Sequence, residues 1–126
     1  MCSSDLFLGL LKLGDQPKKM VRMAIRIGTP IALGTDAGIA PHGTNAEEML
    51  EYVDAGMSNV EALKTGTVNA AAAAGLRDRG RLDPGMAADL IALDGDPVAD
   101  IAQVMNVNFV MRDGIVFKQD GQEVTK

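Results

Sequence analysis

A carboxylate at position 36 is the side chain in this sequence that is best placed for chemistry. Asp36 follows the short apolar run of residues 30–34 (PIALG) and lies in the motif GTDAG of residues 34–38. Folds of the α/β class place active-site residues where a buried strand ends in a loop. A carboxylate there needs compensation, because an unpaired buried charge is costly or becomes protonated, and a divalent cation would supply it. The spacing fits equally well a carboxylate that caps a turn or the next helix.

His42, the single histidine of the chain, is the second candidate. It lies in the loop of residues 40–43 (APHG), close in sequence to Asp36, where its ring could contact a substrate or a metal ion. A solitary loop histidine is more often a solvated surface residue. The sequence leaves both interpretations of His42 open.

A helix and a buried strand must position Asp36. Residues 15–27 predict the helix, with Asp15 as its N-cap, a proline in its first turn and Gly28 as its end. Residues 30–34 are apolar and bounded by turn residues, which predicts a strand buried on both faces. A helix followed by a buried strand is typical of α/β folds.

Two capping boxes predict the helices that follow the loop. The first, at residues 44–47, starts a helix that ends at Gly56, and the second, at residues 58–61, starts a longer helix that ends at Gly75. Three polar side chains are expected to serve the start of the first helix, where acidic groups favour the helix dipole: Asn45, Glu47 and Glu48. The side chains expected to hydrogen-bond across the packing interface of the second helix are Thr67 and Asn69.

The C-terminal part of the sequence is richer in β signals. Turns at residues 83–85 (DPG) and 94–97 (DGDP) enclose residues 89–93, whose alternation predicts a strand. Asp96, which precedes a proline, is expected to form the second turn rather than to bind metal. Residues 98–105 predict one or two helical turns.

The strongest local signal in this part is a hairpin. Asp113 and Gly114 stand between residues 109–112 and residues 115–118, and an Asp-Gly pair favours the tight turn that joins two antiparallel strands. The polar tail that follows, residues 119–126, is expected to be frayed.

Composition narrows the classes of function. The chain has 126 residues, of which 47% are hydrophobic and 23% charged, as in an ordinary globular domain rather than a disordered chain. A net charge of -5 without a dense basic run argues against nucleic-acid or membrane-surface partners and favours small-molecule or protein partners. The single cysteine excludes an internal disulfide. Residues 6–13 are apolar but too short for a membrane span and lack the features of a signal peptide.

The order of the motifs resembles the C-terminal portion of the metal-dependent amidohydrolase superfamily, in particular its imidazolonepropionase-like and Xaa-Pro dipeptidase-like branch. From residue 20 to residue 119, the matching segments follow one another in family order and with family spacing. They are residues 34–38 (GTDAG), 41–45 (PHGTN), 51–58 (EYVDAGMS), 61–63 (EAL), 67–71 (TVNAA), 83–90 (DPGMAADL) and 95–101 (GDPVADI).

The resemblance implies an α/β fold, namely the C-terminal fragment of a (β/α)8 TIM barrel plus part of a small β-sandwich. Residues 31–34 would be the last strand of that barrel, with Asp36 at its C-terminal end. The expected organisation is a non-native leader at residues 1–6, the last barrel unit at 7–76, the sandwich share at 77–119 and a tail at 120–126.

The resemblance also implies a hydrolase of carbon-nitrogen bonds, in amides or peptides, that uses metal-activated water. Asp36 would be both a metal ligand and the group that carries the proton of the attacking water to the leaving nitrogen. His42 would contact the substrate. The implied cofactor is a divalent metal, zinc by preference, as one or two ions in the full-length enzyme. The implied substrate is a small molecule or peptide-like, the full-length protein could form a homo-oligomer, and a cytoplasmic location is favoured.

This sequence departs from the family pattern in its histidines. The other metal ligands of the family are a His-x-His pair after the first strand, a mid-barrel lysine or acidic residue and two later histidines, whereas this chain has one histidine. One carboxylate falls short of the three or four ligands of a catalytic zinc, so the chain alone is expected to be inactive. Two alternatives stay open: a deaminase of the same superfamily, and a self-standing, non-catalytic α/β interaction module.

Overall fold

The computed structural model describes residues 16–36, 38 and 41–124, and in these residues helices come first and an antiparallel sheet follows. The α-helices are α1 Gln16–Ile27, α2 Glu47–Asp54, α3 Asn59–Thr65 and α4 Val68–Ala73. The sheet comprises β1 Leu90–Leu93, β2 Val107–Arg112, β3 Ile115–Gln119 and β4 Gln122–Glu123, with a 3-10 helix, Ile101–Met105, between β1 and β2. The predicted α/β class is therefore confirmed. Among the described residues, none of the helices has the length and apolar character needed to cross a bilayer.

The helix ends follow the local signals in most places. Glycines with positive φ end α1, α2 and α4, as predicted: Gly28, Gly56 and Gly75. The Ser58 hydroxyl accepts the backbone N–H of Glu61 at 3.2 Å, so the second predicted cap is confirmed. The first predicted cap is wrong, because the N-cap of α2 is Ala46 and the Thr44 hydroxyl donates to the carbonyl of Pro41 instead. The predicted N-cap Asp15 lies outside the described residues.

The long helix predicted from residue 58 to Gly75 is broken in two. α3 ends at Thr65, and Thr67 has φ -122° and ψ -102°, which is not helical. Gly66 weakens the helix at the break, and packing exploits the missing side chain: a Cβ on Gly66 would lie 2.3 Å from the Cε of Met49. The missing side chain therefore leaves room for the end of the Met49 side chain.

The core is small and lies between the helices and the 3-10 helix. Its buried members are Tyr52, Ala62, Ile101 and Val104, against which partly buried side chains such as Leu33, Met49 and Leu50 pack. The hydroxyl of Tyr52 donates to the Glu48 carboxylate, and burial, followed by this hydrogen bond, raises the pKa of Tyr52. The core thus joins the helical part of the chain to the segment that precedes β2.

The sheet is an antiparallel meander in the order β1-β2-β3-β4. Asp113 and Gly114 have φ values of 50° and 76° and join β2 to β3, which confirms the predicted hairpin. A second turn of the same kind, Asp120 and Gly121 with φ 50° and 74°, joins β3 to β4. The expectation of a frayed tail is therefore wrong for Gln122–Glu123, because the Asp-Gly turn returns even this polar segment to β3.

An arginine fastens the sheet to the helical part. Arg79 donates to the carboxylates of Asp89 and Asp113, and the backbone N–H of Asp113 donates to Asp89 at 2.7 Å. The Asp113 N–H, and then the Arg79 guanidinium, hold the pKa of the Asp89 carboxyl below its ordinary value. The hairpin turn is consequently tied to the segment that follows α4.

This network predicts acid sensitivity. A carboxyl whose pKa is lowered by folding contributes stability above its unfolded pKa, about 4, and that contribution is lost as the pH falls through the lower folded value. We expect Asp89→Asn to reduce stability at pH 7 and to flatten the loss of thermal stability below pH 4, measured by circular dichroism. The control is Asp120→Asn in the second turn, which should keep the acid dependence of the parent. An unchanged acid dependence in Asp89→Asn would contradict the assigned network.

Two glycines with the same backbone conformation provide a second test. Gly80 and Gly85 both have φ +88°, but a Cβ on Gly80 would lie 2.9 Å from the carbonyl oxygen of Thr67 and 2.8 Å from the Cβ of Ala71, whereas one on Gly85 meets nothing within 4 Å. An alanine at either position is strained by the positive φ. Only Gly80→Ala also places its Cβ too close to Thr67 and Ala71. We expect Gly80→Ala to lose its helical circular-dichroism signal at a lower urea concentration than Gly85→Ala. Equal stabilities would show that the segment does not pack on α4.

Candidate functional site

The segment that carries Asp36 is extended but is not a sheet strand. Residues 31–36 have no regular secondary structure and pair with no strand among the described residues. Ile31, Ala32 and Leu33 are half-buried rather than buried on both faces. The predicted strand is thus wrong as a paired element, because a strand needs a neighbouring strand for its hydrogen bonds and this segment has helices beside it.

Helices satisfy the backbone of this segment instead. The N–H of Leu33 donates to the carbonyl of Thr65 at 2.9 Å, and the side-chain amide of Asn69 donates to the carbonyl of Ile31 at 2.9 Å. The predicted role of Asn69 across its packing interface is confirmed. The hydroxyl of Thr67, by contrast, donates to the carbonyl of Leu63, four residues earlier in the chain. This bond does not cross the packing interface.

Asp36 lies at the end of the extended segment, as predicted, but in an unexpected state. Its side chain is exposed, so Asp36 is not a buried charge that demands compensation. Its φ is 50°, in the left-handed region, where a residue with a Cβ pays about 1–2 kcal/mol per residue and where aspartate is one of the more tolerant types. The backbone here is therefore held away from its default conformation.

The other candidate residues occupy the loop and the start of α2. His42 is exposed in a turn, which fits both a surface residue and a residue that contacts a substrate. Asn45, expected to serve the helix start, donates its side-chain amide to the hydroxyl of Thr35 at 2.7 Å. Glu48 turns to the core and accepts from the Tyr52 hydroxyl. Glu47 and Glu48 both lie in the first turn of α2, as expected.

Asp96 forms the turn that the sequence predicts. Its carboxylate accepts the backbone N–H of Val98 at 2.8 Å, and its carbonyl accepts the N–H of Asp100 at 3.1 Å. These bonds account for the aspartate without a metal ion.

The described residues do not by themselves suit a metal centre. Nowhere in residues 16–36 and 41–124 do three or more His, Cys, Asp or Glu side chains come together in a group that could hold an ion. Two surface grooves of about 380 and 680 Å³ are present, and neither is lined by Asp36 or His42. The part of the chain that the structure describes therefore does not supply a complete metal site.

Comparison with known proteins decides the family. The model of the amidohydrolase family matches residues 15–116. The chain belongs to the amidohydrolase family. The superfamily predicted from the order of the motifs is thereby confirmed, and the matched region contains both Asp36 and His42.

The relatives that this amidohydrolase chain matches include an ochratoxinase and an imidazolonepropionase. The ochratoxinase of Aspergillus niger is 38% identical over 118 residues, which are 89% of this chain and 24% of the ochratoxinase. The imidazolonepropionase of Deinococcus deserti is 36% identical over 90 residues, 69% of this chain and 23% of the relative. The chain spans about a quarter of the length of these relatives.

Solved structures give the same result for this amidohydrolase chain. A Xaa-Pro dipeptidase with methionine bound in its active site superposes with a TM-score of 0.80 at 38% identity, over 83% of this chain and 26% of the dipeptidase. The ochratoxinase of A. niger superposes with a TM-score of 0.76 at 37% identity, over 89% of this chain and 27% of that enzyme. Both are several times longer than the match.

Sequence reasoning missed the contacts that hold Asp36. The bond from Asn45 to Thr35 joins residues 10 apart, and the bond from Leu33 to Thr65 depends on the break after α3. Helix-start patterns explain an asparagine locally and give no signal for a partner across a loop. The hydroxyl at Thr35, next to the candidate carboxylate, was the one local indication.

Proposed function

We propose that this chain is the C-terminal part of a metal-dependent hydrolase that cleaves carbon-nitrogen bonds of amide or peptide-like substrates, and that Asp36 carries its share of the chemistry. The observation that carries the proposal is the position of Asp36: an exposed carboxylate with a left-handed backbone at the end of a held, extended segment, inside the region that matches the family. A carboxylate that merely caps a turn would not need an anchored segment before it.

In this proposal Asp36 has two tasks. It is one ligand of a divalent ion, zinc by preference, with the remaining ligands supplied by residues other than those described here. It also takes the proton of the attacking water and delivers it to the leaving nitrogen. The reaction then needs no free strong base, and the leaving group departs as a neutral amine rather than as an unstable anion. The ion would polarise the carbonyl and activate the water. A single carboxylate could serve as a ligand in a site with one metal ion or in a site with two.

The architecture of the proposal follows from the same placement. Residues 31–34 would be the last strand of a (β/α)8 barrel, whose active-site residues lie at the C-terminal ends of its strands. Residues 77–119 would be this chain's share of a small β-sandwich. His42, exposed in the loop that follows Asp36, would contact the substrate. The substrate pocket would be completed by other loops of the barrel.

The role of Asp36 can be tested in a chimera that supplies the other ligands. We would replace the segment of A. niger ochratoxinase that matches this chain with the corresponding residues of this chain, which are 38% identical to it. Asp36→Asn in the chimera should lower kcat by roughly 10²–10⁴-fold, because a positioned proton-transfer group is lost. It should also lower the zinc content measured by mass spectrometry of the purified protein.

The matched control for this test is Asp96→Asn. This change removes a charge of the same kind but keeps the side-chain oxygen that accepts the N–H of Val98, so activity and zinc content should stay within about twofold of the parent chimera. Hydrolysis and zinc content that survive Asp36→Asn unchanged would rule out the assigned role.

A further test separates a part of a larger enzyme from a self-standing module. The stripe formed by Met20, Met23 and Ile27 on α1 is exposed by 73%, 56% and 62%, although such a stripe normally packs on another layer. We expect the 126-residue chain to bind a hydrophobic dye and to unfold with low cooperativity on heating. Met20→Gln with Met23→Gln should reduce the dye binding. Sharp two-state unfolding without dye binding would favour the module.

A further inference from the structure

We propose that Asn45 is a positioning residue for Asp36 and acts through Thr35, an inference that rests on the proposed function of Asp36. The side-chain amide of Asn45 donates to the hydroxyl of Thr35 at 2.7 Å, and Thr35 directly precedes Asp36. The bond therefore fixes the residue whose peptide plane leads into the candidate carboxylate.

The bond closes the loop between the two residues. The chain leaves the extended segment at Thr35 and returns at Asn45, 10 residues later, just before α2 begins. A contact across the base of a loop removes much of the freedom of the loop ends. Asp36 is the first residue inside this closure, so the contact restricts its backbone directly.

The upstream side of the segment is already fixed. Leu33 N–H and Ile31 C=O, on the same edge of the extended chain, bond to Thr65 and to Asn69 at 2.9 Å each. Those bonds end two residues before Thr35. The contact from Asn45 thus extends the anchoring to the last position before Asp36.

The conformation of Asp36 explains why such an anchor is needed. A φ of 50° is uncommon for a residue with a Cβ and persists where the surroundings impose it. Without a hold on Thr35, the residue after it would relax towards extended or helical backbone, and the carboxylate would point elsewhere. A reacting group displaced by about 1 Å loses on the order of a hundredfold in rate.

The side chain of Asn45 is not engaged in starting α2. The N-cap of that helix is Ala46, without a side-chain cap bond, and Asn45 contributes its backbone carbonyl, which accepts the N–H of Glu48 at 3.4 Å. Removal of the amide should therefore leave α2 intact. This separates positioning of Asp36 from general stability.

The first experiment measures the backbone of Asp36 directly in the 126-residue chain. The 13Cα and 13Cβ chemical shifts of Asp36 report its φ and ψ. Asn45→Ala, which removes the donor, and Thr35→Val, which removes the acceptor but keeps the branched shape, should both move these shifts away from left-handed values. Thr35→Ser, which keeps the hydroxyl, should retain them. Asn59→Ala removes another asparagine amide donor, which bonds to the backbone carbonyl of Val98 at 2.9 Å, and should leave the chemical shifts of Asp36 unchanged.

The second experiment measures kinetics in the ochratoxinase chimera. Asn45→Ala and Thr35→Val should lower kcat on the order of tenfold to a hundredfold with KM within about twofold, and Thr35→Ser should restore kcat. The double variant should have a kcat no lower than that of the less active single variant, because the two changes remove the same hydrogen bond. If Asn45 had a purely structural role, its loss would lower the amount of folded enzyme, and the enzyme that did fold would keep the parental kcat and KM.

The two proposals fail separately. The positioning role is overturned if the chemical shifts of Asp36 keep their parental values in Asn45→Ala. It is also overturned if Thr35→Ser lowers kcat and Thr35→Val does not. Both outcomes count whatever the effect of Asp36→Asn. Moved shifts with lowered kcat support it. If the shifts move but activity survives Asp36→Asn, the proposed function of Asp36 falls, while the structural hold of Asn45 on Asp36 stands.

Discussion

The hydrogen bond from Leu33 to Thr65 is the contact on which the rest of the candidate site depends. A helix leaves its last carbonyls without partners inside the helix, and the end of α3 at Thr65 makes one of them available to the extended segment. A half-buried backbone N–H that lacked this partner would be costly. The segment therefore lies against the helix break, and within the described residues it is helices that hold the segment in front of Asp36.

Features governed by one or two residues were predictable from sequence. Glycines end three helices because positive φ is cheap only for glycine, Ser58 caps α3 because its hydroxyl reaches an N–H three residues on, and Asp113 with Gly114 forces a tight turn. Family membership was predictable too, because it rests on the order of many such segments and not on any single contact.

Features governed by distant partners were not predictable. The run of residues 30–34 has the composition of a strand, but pairing is decided by what lies beside it. The end of the Met49 side chain fills the space beside Gly66, and a helical pattern does not reveal this contact. Asn45 looked like a helix-start residue because its partner across the loop is not a neighbour in sequence. The turn at Asp120 and Gly121 is different, because its Asp-Gly pair favours a tight turn. The polar residues around it nevertheless favoured the prediction of a frayed tail.

The meander of the sheet has a consequence for the order of folding. Each strand pairs with the next one along the chain, and two of the three connections are two-residue turns. Pairings of this local kind close on the microsecond timescale, on the order of 1–10 μs for a hairpin, and cost little loop entropy. The bond between Leu33 and Thr65 joins parts of the chain that are far more widely separated. Strands β2 to β4 are therefore expected to form early when the finished chain refolds from the unfolded state, before the segment that bears Asp36 finds its anchor.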